Sequence, residues 1–307
     1  MPNFFDNIRV PTIEIDPSCF GIDKVSLFVK REDLLHPIVS GNKFRKLKYN
    51  LLEAKKMELD TVITFGGAFS NHIIATAVAA REMGLKSIGI IRGEELAGRT
   101  HQNPTLAFAK KCGMRLYFVT REDYRLKEDE KFLTGLKLQF GPFYVIPEGG
   151  SNSLAVKGCE EILTKADLSF DYICVSVGTG ATMAGLVKAS NKKQKVIGFS
   201  ALKGAFQTSE IEKHTDKSNY KILDSYCFGG YGKIDTDLVR FMNDFKRKTQ
   251  IPLDPLYTGK MMYGILDLIK KGYFNENSRI LAVHTGGLQG VAGMNIKLQK
   301  KKLPLIE

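Results

Sequence analysis

Lys43 and Lys46 stand three residues apart in SGNKFRKLK (40–48), where four cations fall within six residues after a loop-like Ser-Gly-Asn. If the helical pattern of the following YNLLEAKK extends back through them, the two ammonium groups share one helix face. They would then lie beside an apolar stripe of Phe44, Leu47 and Leu51. Positive charges held in fixed directions suit an anion. One lysine can bind a phosphate as a point charge, while the other, desolvated and with a lowered pKa, can serve as a nucleophilic amine. The competing reading is a solvated helix face.

A second segment has matching chemistry. SVGTGATMAGL (176–186) follows a β-branched run and opens a helical one. Backbone N–H groups of such a turn, with the helix dipole behind them, form an anion site. Gly178 and Gly180 permit close approach, Thr179 and Thr182 offer hydroxyls, and Ala181 begins the helix. A dinucleotide fingerprint would need glycine at 183, which is Met183, and an acid about 20 residues on; the chain there reads GFSALKG. The Lys-Ser/Thr of a P-loop is also absent. A single phosphate fits better, against the alternative of a turn that needs glycine for packing alone.

Further candidates sit at similar strand-to-helix junctions. In GGAFSNH (66–72), Ser70 is placed to cap a helix or to face a ligand, Asn71 to direct a hydrogen bond, and His72 to act as an acid or base or to pack. Tyr231 in YGKID, Tyr257 and Thr258 in LDPLYTGKMMYG, and Thr285 in HTGG complete the set. A loop tyrosine can hold a carboxylate, move a proton or simply pack. The five histidines are isolated, with no metal-ligand spacing.

The elements that must position these residues are legible as an alternation. Strands are expected at TVITFGG, SIGIIRG, RLYFVT, FYVIPEGG, YICVSVG, KVIGFSA and RILAVHTGG. Helices are expected at SNHIIATAVAAREMG, PTLAFAKKCG, EDEKFLTGLKLQ, LAVKGCEEILTKA, TMAGLVKASN, TDLVRFMNDFKRKTQ and GKMMYGILDLIKKG. Strand–helix alternation implies a doubly wound α/β architecture, in which ligands sit beyond the carboxyl ends of the strands. Several strands here end in glycine pairs or glycine-rich turns, so several loops should meet at one cleft.

The net charge of +12 raises the question of nucleic acid, but lysines are spread through the 307 residues and interleaved with acids in GEEL, EDEK and CEEI. Aromatic stacking motifs of the RNA-binding kind are missing, so nucleic acid is not an expected partner. MPNFFDNIRV has no basic segment leading into an apolar one, and no apolar run is long enough for a bilayer, so neither a secretory leader nor a membrane partner is expected. Five scattered cysteines without a CxxC fit reduced thiols in a cytoplasmic protein.

Taken together, KRED (30–33), GNKFRKL, GGAFSNH, SVGTGATMAG, DPLYTGK and HTGG resemble the pyridoxal-phosphate enzymes of the D-cysteine desulfhydrase and 1-aminocyclopropane-1-carboxylate (ACC) deaminase family, over nearly the whole chain. The resemblance implies the tryptophan synthase β-like fold (fold type II), with two doubly wound α/β domains. The larger, cofactor-binding domain would be 1–56 plus 149–307, and the smaller inserted one 57–148. It also implies pyridoxal 5′-phosphate as cofactor, a small amino-acid substrate and a homodimer. Lys43 would be the Schiff-base lysine, and Lys46 would meet the cofactor phosphate together with Gly178, Thr179, Gly180, Ala181 and Thr182. Asn71 would hold the 3′-oxygen of the ring; Ser70, Asn71 and His72 would contact substrate; Tyr231 and Tyr257 would flank it. Thr258 and Thr285 would complete the cofactor site.

Those two threonines divide the family. ACC deaminases resemble one another in carrying Glu after the tyrosine matching Tyr257 and Leu at the position of Thr285, whereas this chain has threonine at both, as D-cysteine desulfhydrases do. A carboxylate at the pyridine nitrogen strengthens the electron sink, and a hydroxyl does so less. The implied reaction is α,β-elimination from D-cysteine to pyruvate, sulfide and ammonia. The alternatives are ACC deamination to 2-oxobutanoate and ammonia, or elimination from another β-substituted amino acid. Glu148 in IPEGGSN departs from the small apolar residue expected there and places an acid near the cleft. A nicotinamide-dependent oxidoreductase is disfavoured by Met183 and the missing acid.

Overall fold

The computed structural model describes residues 4–6, 8–22, 24–204 and 207–307; the first three residues and the seventh of MPNFFDNIRV lie outside them. Two sheets organise the chain. Strands β3 (Thr61–Gly66), β4 (Lys86–Arg92), β5 (Arg115–Val119) and β6 (Tyr144–Ile146) form a parallel sheet in the order β5-β4-β3-β6. Strands β1 (Thr12–Ile15), β2 (Ser26–Lys30), β7 (Tyr172–Val177), β8 (Lys195–Ser200), β9 (Tyr220–Leu223) and β10 (Arg279–Val283) form the other, in the order β1-β2-β10-β7-β8-β9. All pairs of this second sheet are parallel except β1 with β2. The central strands β3 and β7 are buried along their whole length, as expected for parallel strands covered on both faces.

Helices α1 (Asn42–Lys56), α2 (Asn71–Glu82), α3 (Pro104–Lys111), α4 (Glu130–Phe140), α5 (Ser153–Glu160), α6 (Ala181–Ala189), α7 (Gln207–Glu212), α8 (Thr236–Thr249), α9 (Thr258–Lys270) and α10 (Gly290–Lys300) cover the sheets. On α1, Phe44, Leu47, Leu51 and Ala54 recur at helical spacing and are buried in one cluster with Ile73 and Ala77 of α2 and Val62 of β3. Lys55 and Lys56 occupy its last turn, where cations suit the helix dipole. The helix begins at Gly41, whose φ is 60°. A β-carbon there would come within 1.9 Å of the Thr285 carbonyl oxygen, and the Asn42 N–H donates to that same oxygen at 3.2 Å. This crossing ties the start of α1 to the end of β10. α5 packs equally closely: a β-carbon on Gly158 would meet the Arg45 carbonyl oxygen at 2.0 Å.

Several elements were not expected from the sequence. β1 exposes three of its four residues, and β9 is an edge strand with no fully buried residue, so neither carries a strand-like apolar pattern. α10 has glycine at two positions, and α7 spans six residues. The helix expected through LAVKGCEEILTKA stops at Glu160; Thr164 and Asp167 then form a capping box that starts a separate 3₁₀ turn over Lys165–Ser169. Among the described residues, no helix is long and apolar enough to cross a membrane.

Candidate active site

The opening run of cations divides between two faces of α1. The Arg45 guanidinium makes a two-point bond to Glu32, at 2.9 Å from both nitrogens, and both side chains are buried. Lys48 donates to Glu161 at 2.8 Å. KRED is a structural tie by the same pattern: Lys30 pairs with Asp167, Arg31 with Asp33, and Glu32 with Arg45. Lys43 and Lys46 turn the other way, into a cleft of about 460 Å³ between the two sheets. That volume is within the range of small-ligand sites.

Lys46 is 2% exposed and has no carboxylate at ion-pairing distance among the described residues. Its Nζ donates to the Gly149 carbonyl at 3.1 Å and to the hydroxyls of Thr179 at 3.3 Å and Ser151 at 3.4 Å. Thr179 and Ser151 also bond each other. Burial lowers the Lys46 pKa, with weaker opposite pulls from Cys159 and Glu210. Lys43 Nζ donates to Asn42 Oδ1 at 3.2 Å. Burial and then the Lys46 charge draw Lys43 from the ordinary 10.5 to about 7, so near neutral pH the amine is about half free. A buried lysine such as Lys46, facing only hydroxyls and a carbonyl, invites an anion.

The glycine turn lies against them. Gly178, Thr179, Gly180 and Thr182 line the cleft, and the Thr182 hydroxyl accepts from Asn42 Nδ2 at 2.9 Å. Ala181 is the first, buried residue of α6. A β-carbon on Gly178 would press 3.1 Å from the Tyr257 ring, so the glycine keeps that side open. Met183, which excludes the dinucleotide pattern, also lines the cavity.

Ser70 occupies the N-cap position of α2, but its hydroxyl makes no capping bond. Its side chain therefore remains available at the cleft wall. Among the described residues, Asn71 Nδ2 reaches only the Gly287 carbonyl, at 3.5 Å. His72 is committed elsewhere. Its Nε2 lies 2.8 Å from the Thr64 hydroxyl, which also meets the Ile146 carbonyl, and the ring is held against the Pro147 backbone. Burial, then Lys43 and Lys46, hold the ring well below its ordinary pKa, and it is neutral.

Tyr231 and Tyr257 meet across the other wall with ring centroids 6.2 Å apart. Burial raises both phenols above their ordinary pKa, Tyr257 strongly. Thr285 lines the cleft, its hydroxyl 3.1 Å from that of Ser176. Thr258 does not line it. Its hydroxyl accepts from the Asp254 N–H at 2.8 Å, while Asp254 in turn accepts from the Tyr257 and Thr258 N–H groups at the start of α9. The structure thus brings together every expected site residue at or beside one cavity, with Thr258 and Ala181 behind its surface.

Several residues at the site were missed in the sequence, among them the lining residues Ser176, Arg92 and Thr105, and Ser151, which meets Lys46 and Thr179. Ser176 and Ser151 lie inside quoted motifs. Arg92 ends a strand just before a glycine, as the other site loops do, and Thr105 opens α3. Arg92 sits 5.5 Å from the Tyr124 ring centre, and Glu148 lies 3.6 Å from Lys127.

The chain resembles known proteins along almost all of its length. A family model described as pyridoxal-phosphate dependent enzyme matches residues 9–286. A putative 1-aminocyclopropane-1-carboxylate deaminase of Pyrococcus horikoshii is 34% identical, covering 89% of this chain and 87% of that protein. A bifunctional, mitochondrial D-cysteine desulfhydrase/1-aminocyclopropane-1-carboxylate deaminase of Arabidopsis thaliana is 33% identical, over 86% and 73% respectively. The crystal structure of an ACC deaminase homologue superposes with a TM-score of 0.83 at 29% identity, covering 98% of this chain and 99% of that one. The fold also matches an O-acetylserine dependent cystathionine β-synthase of Helicobacter pylori, with a TM-score of 0.69 at 13% identity, covering 95% and 97%. With two parallel sheets around a cleft that pairs a desolvated lysine with an anion cup, and with these likenesses, the chain belongs to the pyridoxal-phosphate dependent enzymes of fold type II, in the ACC deaminase and D-cysteine desulfhydrase family.

Proposed function

We propose that the enzyme removes the α-proton and the β-substituent of a small amino acid, with D-cysteine as the best-fitting substrate and pyruvate, sulfide and ammonia as products. The observation that carries this reading is Lys43, an amine brought to about 7 at the cleft wall beside the buried, carboxylate-free Lys46.

The residues present fit pyridoxal phosphate. Lys46, Thr179, Ser151 and the start of α6 would hold the phosphate, Asn71 the ring oxygen, and Thr285 with Ser176 the far edge of the ring. Bound there, the cofactor supplies an electron sink for the α-carbon. Lys43 would hold the cofactor and, once freed as a neutral amine, take the α-proton. Ser70, free of any capping bond, would bind the substrate carboxylate. Tyr231 and Tyr257 keep their protons at neutral pH, so either can protonate the departing sulfide. Water then converts the released enamine to pyruvate and ammonia.

The second reading, ACC deamination to 2-oxobutanoate, is favoured by the names of the relatives. Against it, Thr285 puts a hydroxyl where ACC deaminases carry leucine, and Thr258 stands where they carry glutamate. The same reading divides the chain into 1–56 plus 149–307 and 57–148. Sheet membership supports it, since all four strands of the smaller sheet lie between Thr61 and Ile146. A homodimer rests on the family resemblance alone, and a cytoplasmic location on the scattered cysteines without a CxxC.

The test is keto-acid formation by cofactor-loaded protein given D-cysteine, L-cysteine, D-serine and ACC in parallel. Pyruvate from D-cysteine, with none from L-cysteine and no 2-oxobutanoate from ACC, is expected. 2-Oxobutanoate from ACC as the main product would transfer the assignment to the second reading, and Thr258→Glu with Thr285→Leu should increase it if those positions decide the chemistry.

A further inference from the structure

Lys260 is a buried cation outside the cofactor cup. It is 2% exposed, lies in the third position of α9, and has no carboxylate at ion-pairing distance among the described residues. Its Nζ donates instead to two backbone carbonyls, Cys227 at 2.8 Å and Gly230 at 2.9 Å. Both belong to the loop between β9 and α8 that presents Tyr231.

That loop is closed locally by turn bonds, in which the N–H groups of Cys227, Gly230 and Lys233 donate to the carbonyls of Asp224, Cys227 and Gly230. Around its tip Phe228, Gly229, Gly230 and Gly232 have φ of 50°, 85°, 115° and 70°, and three of these four are glycines with no side chain to anchor. What docks this turn onto the rest of the fold is a face of α9 at three-residue spacing. Tyr257 meets the Tyr231 ring at 6.2 Å, Lys260 takes the two carbonyls, and Tyr263 stacks edge-on against Phe228 at 5.0 Å. The helix itself is anchored in the larger core through Met261, Met262, Ile265 and Leu266. Burial draws the Lys260 ammonium down to about 8 against upward pulls from Cys227, Asp254 and Asp235, yet both N–H bonds to the carbonyls exist in either charge state.

We propose that Lys260 is a positioning residue, clamping the 227–230 turn onto α9 so that the Tyr231 hydroxyl is held beside Tyr257 over the substrate. This rests on the elimination reading above for Tyr231. One helix start thereby sets both tyrosines, one as its N-cap residue and the other through a lysine one turn later.

A double-mutant cycle tests it. Lys260→Met keeps the length and loses both bonds. It should lower kcat by roughly ten- to a hundredfold, with KM less affected and the visible absorbance of bound cofactor unchanged. Placed on Tyr231→Phe, the same change should have little further effect, because the lysine acts through that hydroxyl. Losses that multiply, or an unchanged kcat in either single variant, would overturn the proposal. Lys260→Gln, whose shorter side chain ends in an amide NH₂ that can still donate, replaces Lys260→Met if the latter does not fold, with an intermediate loss expected. A readout independent of turnover separates this idea from the elimination reading. In apoprotein carrying Tyr231→Cys and Tyr257→Cys, disulfide formation should slow at least tenfold on adding Lys260→Met; an equal rate would refute the clamp even if no substrate were ever turned over.

Discussion

Arg45 and Lys46 are chain neighbours, both buried, and their charges are handled in opposite ways. Arg45 points away from the cleft and is matched by Glu32, itself wholly buried. Lys46 points into the cleft and is met by hydroxyls and a carbonyl, with no carboxylate partner among the described residues. A paired buried charge holds a fold together in the sense that neither partner can be removed alone. An unpaired one burdens the empty fold and becomes favourable when an anion arrives. Four cations in one short run therefore serve two purposes, and the side of the helix decides which.

The contrast can be sharpened by substitution. The largest effect belongs to Lys43→Ala, which should reduce keto-acid formation by at least about 10⁴-fold, as loss of a reacting amine does. It should also remove the visible band that appears when cofactor is added. Next, Arg45→Met and Lys46→Met should part company. Arg45→Met strands Glu32 and should cost about 3–5 kcal/mol in urea unfolding. Lys46→Met should leave apoprotein stability unchanged or raised, while weakening cofactor binding roughly ten- to a hundredfold, the worth of a hydrogen bond to a charged group. Equal destabilisation by both would break the comparison.

A smaller, graded effect follows from pH. Cofactor loading needs the neutral Lys43 amine, so its rate at fixed cofactor should rise through about 7 and then level. An ordinary lysine would keep rising toward 10.5. The sign for stability is the same: between these values the unfolded chain holds a proton that the folded one has released, so Lys43 makes the apoprotein more stable as pH rises across that window. Urea midpoints at several pH values check it. The smallest change is expected at the substrate end. Glu148 is 41% exposed and already faces Lys127, so Glu148→Val should alter the ranking of amino-acid substrates by about fivefold or less, measured as relative kcat/KM.

Sequence made one half of this site far more legible than the other. The anion cup is written in local signals: two lysines at helical spacing, and glycines and threonines at a strand end. Each keeps its meaning in the fold because one helix and one turn position most of the cup, with Gly149 and Ser151 joining from a third segment. The substrate wall is assembled from distant segments. Nothing in SIGIIRG says that Arg92 will reach the cavity edge, and nothing in TGKMMYG says that Lys260 will find the carbonyls of Cys227 and Gly230. Ser70 and Thr258 show the limit from both directions. Ser70 has the form of a cap and does not cap, while Thr258 follows a site tyrosine and turns its hydroxyl to Asp254. In the fold, continuous apolar strands such as β3 and β7 were plain, whereas edge strands β1 and β9 lacked the burial that creates a pattern.

The central claim is that Lys43, and no other lysine, holds the cofactor. Borohydride reduction of the cofactor-loaded protein followed by peptide mapping tests it most directly. A pyridoxyl group on Lys43 alone is the predicted result; a group on Lys46, Lys260 or any other lysine, or none after saturation with cofactor, would contradict it.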